Sequence, residues 1–161
     1  MEHWVQNSIY LATAAGMVLL NAFFVAAEFG LVKVRGGQRE ELAKEGKPFA
    51  RTARWLGARL DTSLSACQLG ITMASLGLGW VGEPAFAELL EPAFAALGIT
   101  SPTALHTSAF VVAFTIITAL HLIIGEQAPK IYAIRRPEFV ALWCAVPLKV
   151  FYVLSYPFLM A

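Results

Sequence analysis

The run Gly125-Glu126-Gln127-Ala128-Pro129-Lys130 directly follows the apolar stretch Phe110–Ile124, so a carboxylate stands beside a glycine where a hydrophobic segment ends. In a helix, Pro129 has no N–H to give to the carbonyl four residues back, and the Gly125 oxygen loses its partner. A freed backbone oxygen next to the Glu126 carboxylate supplies two hard donors at one place, which is the chemistry of a cation site close to lipid. The plainer alternative is a helix end whose carboxylate snorkels to the interface, and the stretch alone does not choose between them.

Further polar residues interrupt other apolar segments. Ser65, Gln68, Thr72 and Ser75 fall at i, i+3, i+7 and i+10, along one face of a helix. Such a stripe faces protein or water, or it joins helices through side-chain hydrogen bonds. Ser63 lies two positions before Ser65 and joins the stripe only if the helix begins irregularly. Asn21 stands alone in Leu19-Leu20-Asn21-Ala22-Phe23-Phe24, a position equally suited to a ligand and to a hydrogen bond that specifies an oligomer. Glu28, one heptad on, is expected to pair with Lys33 or Lys130. His121 reads as a packing or hydrogen-bonding residue. Asn21, Ser65 (with Ser63), the Gly125 carbonyl and Glu126 together make an all-oxygen set with one carboxylate and no Cys/His cluster. Hard ions suit it better than zinc or copper, with Mg²⁺ favoured and Na⁺ acceptable.

These residues need membrane helices to position them. Of 161 residues, 58% are hydrophobic and only 14% charged, with mean hydropathy +0.64, which indicates an all-α membrane protein. Residues 4–27 carry no charge and are long enough to span the hydrocarbon as a helix continuing to about Arg35, where Gly36-Gly37 is expected to break it. The second and third spans are expected over about 62–82 and 103–124. Between the first two, residues 38–60 alternate basic, acidic and apolar residues, predicting one or two amphipathic surface helices broken near Gly46-Lys47-Pro48. Pro147, Lys149 and Pro157 interrupt the last apolar stretch, so about 137–160 is expected to form juxtamembrane or re-entrant helices rather than a fourth span.

Charge sets orientation. Eight of the twelve Lys and Arg lie between Lys33 and Arg59, whereas residues 83–102 contain Glu83, Glu88 and Glu91 and no base. The positive-inside rule places loop 36–60 in the cytoplasm and the N-terminus outside, in a multi-pass protein of the cell (inner) membrane. Small residues at four-residue spacing, Ala12/Gly16 and Ala26/Gly30, and Gly70, Gly77 and Gly79, favour close helix packing and a homodimer. Cys67 and Cys144 read as small buried hydrophobes. No HExxH, GxSxG or paired aspartates appear, so an enzyme is not expected, nor a nucleic-acid partner. The ending Tyr156–Ala161 has no polar tail, which suggests a piece of a longer protein.

Asn21-Ala-Phe-Phe-Val-Ala-Ala-Glu28-Phe, Leu64-Ser65-Ala-Cys-Gln68-Leu-Gly70-Ile-Thr72, Ser75-Leu-Gly77-Leu-Gly79-Trp80, Gly82-Glu83-Pro84 and Gly125-Glu126-Gln-Ala-Pro129-Lys130 occur in that order. The combination resembles the transmembrane domain of the CorC/cyclin-M magnesium transporter family across essentially the whole chain. The resemblance implies a homodimer with three spans per subunit, a juxtamembrane belt and a cytoplasmic nucleotide-binding regulatory domain that is missing here. It also implies a dehydrated Mg²⁺ site in each subunit, with Asn21, Ser63, Ser65, the Gly125 backbone oxygen and Glu126 as ligands. Alternating access would rock the first two spans about the Gly125–Pro129 break. A divalent ion crossing 100 mV changes energy by ~4.6 kcal/mol, so export against an inside-negative potential needs coupling, for which Na⁺ is a candidate. A membrane-embedded sensor or scaffold that binds Mg²⁺ without moving it would use the same ligands.

Overall fold

The charge-free run near the N-terminus folds as one helix, α1 (Glu2–Lys33), the geometry that pairs backbone groups within a segment, as lipid demands. The computed structural model describes residues 2–99 and 101–159, with side chains from Val5 onward; Trp4 and position 160, which bound two of the expected segments, are thus described only as backbone or not at all. The expected break at Gly36-Gly37 falls slightly earlier. Val34 and Arg35 make the corner, and the glycines open α2 (Gly36–Lys44), where Gln38 Oε1 accepts the Arg35 N–H at 3.0 Å. Arg39 reaches back from α2 to donate to the Leu31 carbonyl at 2.9 Å, satisfying part of the unpaired C-terminal end of α1. Burial lowers the Arg39 guanidinium pKa, and the group stays cationic at physiological pH.

Gly46, at φ 70°, turns the chain between α2 and α3 (Ala50–Gly57) where the Gly46-Lys47-Pro48 run predicts it. Ala50, Ala53 and Leu56 are buried on one face of α3 while Arg51 and Arg54 stay exposed, so the helix is amphipathic.

The next helix is longer than its apolar run. α4 (Leu60–Ala96) has 37 residues and includes the acidic segment expected to be a loop, with Pro84 and Pro92 inside it. At ~1.5 Å per residue it is about 55 Å long, well beyond the ~30 Å of hydrocarbon. α5 (Pro102–Leu120) passes through a π-helical turn (His121–Gln127) directly into α6 (Ala128–Arg135). The Gly125–Pro129 region is therefore a widened turn in a continuous helix, not a helix end.

The last stretch requires a correction. α7 is a single helix, Pro137–Leu159, with Pro147 and Pro157 inside it. Among the described residues four helices, not three, are long and apolar enough to cross a membrane: Val5–Lys33, Leu60–Ala96, Pro102–Arg135 and Pro137–Leu159. Each internal proline forfeits one backbone bond. Packing carries the helix through, because Val140, Ala141, Ala145, Leu148 and Tyr152 are all buried, and α7 lies against α1, α3 and α4. No juxtamembrane helix pair is formed there.

α1 is the centre of the bundle, touching α4, the π turn, α6 and α7. Its Phe24, Ala27 and Leu31 share a core with Leu56, Cys67, Leu148 and Tyr152. Two glycines permit the closest approaches. A Cβ on Gly30 would meet Val140 Cγ1 at 2.9 Å, and one on Gly70 would meet the Phe24 ring at 2.5 Å. Contacts of Phe24 with Gly70, Met17 with Gly77 and Ala14 with Gly82 show α1 and α4 running antiparallel in a fixed register.

Candidate cation site

That register sets Asn21 of α1 level with Ser75 of α4. Asn21 is completely buried. Its Nδ2 donates to the Gly125 carbonyl at 2.9 Å, and its Oδ1 accepts from Ser75 Oγ at 3.3 Å. One carboxamide thus ties together α1, α4 and the π turn.

The turn follows from its sequence. Pro129 cannot donate to Gly125 in α register, and its ring would crowd that carbonyl. Widening to π geometry, with the Ala128 N–H donating to Ile123 O, relieves the crowding. The Gly125 oxygen is then free to accept the Asn21 amide, so the carbonyl that sequence reasoning identifies as freed is the one engaged by a side chain from another helix. Gly125 is buried, and a Cβ there would lie 2.6 Å from His121 Cδ2 and 3.4 Å from Asn21 Nδ2. Glycine is required by close approach.

The π turn also changes which side chains meet. On an α-helix, residues five apart are rotated by about 140°. Here His121 and Glu126 come together, with Nε2 4.0 Å from Oε1. The Nε2 atom is buried and has no hydrogen-bond partner. Glu126 keeps 38% of its side chain exposed, so its carboxylate can reach solvent and lies one residue from the Gly125 carbonyl. Among the described residues no three His, Cys, Asp or Glu side chains gather into a cluster. Negative charge at this centre therefore comes from Glu126.

The predicted residues divide into two groups. Asn21 and Gly125 are in direct contact, with Glu126 alongside. Ser63 and Ser65 are elsewhere. Ser63 is buried at the α3–α4 corner and donates to the Leu56 carbonyl at 3.0 Å, while Ser65 is exposed and donates to Asp61 O at 3.0 Å. Ser63 lies twelve residues from Ser75, about 18 Å along α4. Gln68 and Thr72 are also exposed, so Ser75 is the member of the stripe that reaches Asn21. Antiparallel counting from Asn21 is the signal that could have found it. Glu28 makes no ion pair among the described residues, and Lys130 instead lies over the Phe29 ring, 4.9 Å from its centroid.

Chemically, Gly125 O, Asn21 Oδ1, Ser75 Oγ and the Glu126 carboxylate are a hard-oxygen donor set spread over three helical segments. Asn21 presents nitrogen to the carbonyl; rotating its carboxamide by about half a turn would present Oδ1 there instead, at no cost in burial.

The family model described as the cyclin M transmembrane N-terminal domain matches residues 12–161. The chain belongs to the cyclin M transmembrane-domain family. Relatives of this cyclin M domain include the UPF0053 protein YugS of Bacillus subtilis, 48% identical over 145 residues, which cover 90% of this chain and 34% of YugS. The UPF0053 protein YhdT of the same organism is 47% identical over 143 residues, covering 89% and 31% of the two chains. The uncharacterized protein Rv1841c of Mycobacterium tuberculosis is 41% identical over 139 residues, covering 86% and 39%. The chain spans about a third of the length of these relatives. Membership in the cyclin M family, with several membrane-length apolar helices among the described residues, is consistent with a multi-pass membrane domain.

Proposed function

We propose that this domain carries Mg²⁺ across the membrane through a site formed by Asn21, the Gly125 carbonyl, Ser75 and Glu126. The observation that carries the reading is the buried Asn21–Gly125 contact at 2.9 Å, which fixes a neutral amide and a helix-freed carbonyl beside the carboxylate-bearing residue. Mg²⁺ favours octahedral oxygen ligation at ~2.0–2.1 Å and gives up water reluctantly, so several preplaced oxygens are needed to replace its shell. Glu126 compensates charge, and the neutral ligands replace water. Na⁺ fits the same donors and is the proposed coupling ion for export. Ser63 and Ser65 enter this mechanism only if α4 slides along α1, because their hydroxyls are bonded at the far end of the helix.

The wider arrangement follows the same reading. Ser65, Gln68 and Thr72 are exposed on a helix apolar enough to span. The Ser65 and Thr72 hydroxyls are bonded to carbonyls of their own helix, but acyl chains would offer the Gln68 carboxamide no partner, so a second copy is proposed to cover this face in a homodimer. The basic segment of α2 and α3 is assigned to the cytoplasm, with the N-terminus outside in the inner membrane, and the nucleotide-binding regulatory domain is assigned to the remaining length of the full protein.

The test is Mg²⁺ flux into liposomes by wild type and Glu126→Gln, with binding measured in parallel by calorimetry. Loss of at least about tenfold in both is expected, since removing the one carboxylate removes more than ~1.4 kcal/mol of ion binding. Equal flux and equal binding would remove the mechanism. Binding without flux in the wild-type chain would assign it to the sensor class instead.

A further inference from the structure

A second polar cluster lies away from Asn21, where α3 and the start of α4 meet α7. Arg59 places its guanidinium carbon 4.3 Å from the centroid of the Trp55 ring, and Lys149 places its ammonium 4.9 Å from the same ring. Two cations therefore converge on one indole. Neither forms an ion pair among the described residues. Asp61, two residues beyond Arg59, is exposed and does not bridge to it. One guanidinium N–H goes to Trp55 O at 3.4 Å, which leaves most of the donor fork unused. Tyr152 packs edge-on against Trp55 at 5.2 Å, and Tyr156 lies tilted against Tyr152 at 5.9 Å.

The space around this cluster has two compartments. One open pocket of about 350 Å³ is bounded by Trp55, Arg59, Tyr152, Val153 and Tyr156. Its neighbour, 420 Å³, is bounded by Thr52, Val146, Lys149, Val150, Val153 and Leu154. Val153 belongs to both, and Lys149 runs its stem along the apolar compartment while its ammonium sits at the aromatic one. The combined shape is a cationic, aromatic head joined to an apolar groove.

We infer that this double pocket binds an anionic phospholipid, with its phosphate between Arg59 and Lys149 and an acyl chain along Val146, Val150 and Leu154. Charge complementarity selects the occupant. Two uncompensated cations attract a phosphodiester, and the guanidinium fork matches its oxygens. Trp and Tyr favour the headgroup level of a bilayer, and anionic lipids populate the cytoplasmic leaflet, to which the basic end of the protein is assigned. A free phosphate would use the cations and leave the groove without a role. The inference rests on the proposed orientation, with the Arg59–Lys149 cluster at the cytoplasmic headgroup level, and stands or falls apart from ion transport.

The experiment is native mass spectrometry of the purified chain in detergent, offered dioleoyl-phosphatidylglycerol and dioleoyl-phosphatidylcholine at equal concentration. Wild type is expected to retain the anionic lipid roughly tenfold better, as two cations near the surface allow. R59Q/K149Q is expected to bring the ratio close to one, with circular dichroism confirming that the helices remain. Val153→Trp, which fills the groove and leaves both charges, should weaken dioleoyl- but not dihexanoyl-phosphatidylglycerol, and it serves as the test if the double variant does not fold. Equal retention of the two headgroups by wild type would overturn the inference. So would a preference that survives R59Q/K149Q, indifference of the dioleoyl lipid to Val153→Trp, or displacement of the lipid by equimolar inorganic phosphate.

Discussion

Replacing Asn21 with leucine tests whether one carboxamide joins three helical segments. Leucine keeps the branching of asparagine and leaves no cavity, but it is bulkier, so overpacking adds to the polar losses that follow, equally in the wild-type and Pro129→Ala backgrounds. The Gly125 carbonyl loses the donor at 2.9 Å. It is buried, and its helical donor in α register would be Pro129, which has no N–H. Leaving such an oxygen unpaired costs ~1–3 kcal/mol. Ser75 loses an acceptor at 3.3 Å, but its hydroxyl can turn to the carbonyl four residues back and recover most of that bond. Interhelical hydrogen bonds in membranes average only ~0.6 kcal/mol, with a maximum of ~1.7, because the unfolded chain in lipid also finds partners. The net expectation is a loss of about 1–2 kcal/mol, measured by reversible unfolding in mixed micelles followed by far-ultraviolet circular dichroism. A second substitution sharpens the test. Pro129→Ala restores an N–H that can serve Gly125, so in that background Asn21→Leu should cost about 0.6 kcal/mol or less. Strict additivity of the two substitutions, or a leucine variant as stable as wild type, would refute the assignment of the Gly125 oxygen to Asn21.

Gly125→Ala should destabilise by ~1–3 kcal/mol through overpacking, since the new methyl would stand 2.6 Å from the His121 ring; adding His121→Ala should recover most of the loss in the same unfolding assay. Gly70→Ala should cost a similar ~1–3 kcal/mol, because the Phe24 ring it meets is held by Phe23 and Phe151 at 5.1 and 4.7 Å. Gly16→Ala, with nothing within 4 Å of the added carbon, should instead be neutral or stabilising by up to ~1 kcal/mol. In Mg²⁺ calorimetry, Ser75→Ala should weaken binding several-fold while Ser65→Ala leaves it unchanged, and the reverse order would return the site to the outer part of the stripe.

Sequence reasoning reached Gly125 because proline chemistry is local: a missing N–H at 129 leaves a particular carbonyl unpaired whatever the tertiary structure. It reached Asn21 because an amide inside an apolar run must find a partner or stay unpaired. It did not single out Ser75, because a face of α4 has no direction until a neighbour defines one. Ser65, Gln68, Thr72 and Ser75 share a stripe, yet only the residue level with Asn21 contacts it, and that level is fixed by Phe24 meeting Gly70 and Met17 meeting Gly77. The same limit governs α7. Pro147 and Pro157 argue locally for interruption, whereas burial of Ala145, Leu148 and Tyr152 against three other helices keeps one helix through both. The π turn combines the two kinds of information. Its cause, Pro129, is written in the chain, but its consequence depends on geometry, since only the wider turn brings His121 and Glu126 to one side. A site built this way has its backbone donor and its carboxylate fixed by a single turn, while its neutral ligands come from helices whose register can change. Movement of α1 against α4 would break the Asn21 contacts with Gly125 O and Ser75 while Gly125 and Glu126 stay on one turn, the separation of fixed charge from movable ligands that the proposed carrier would use.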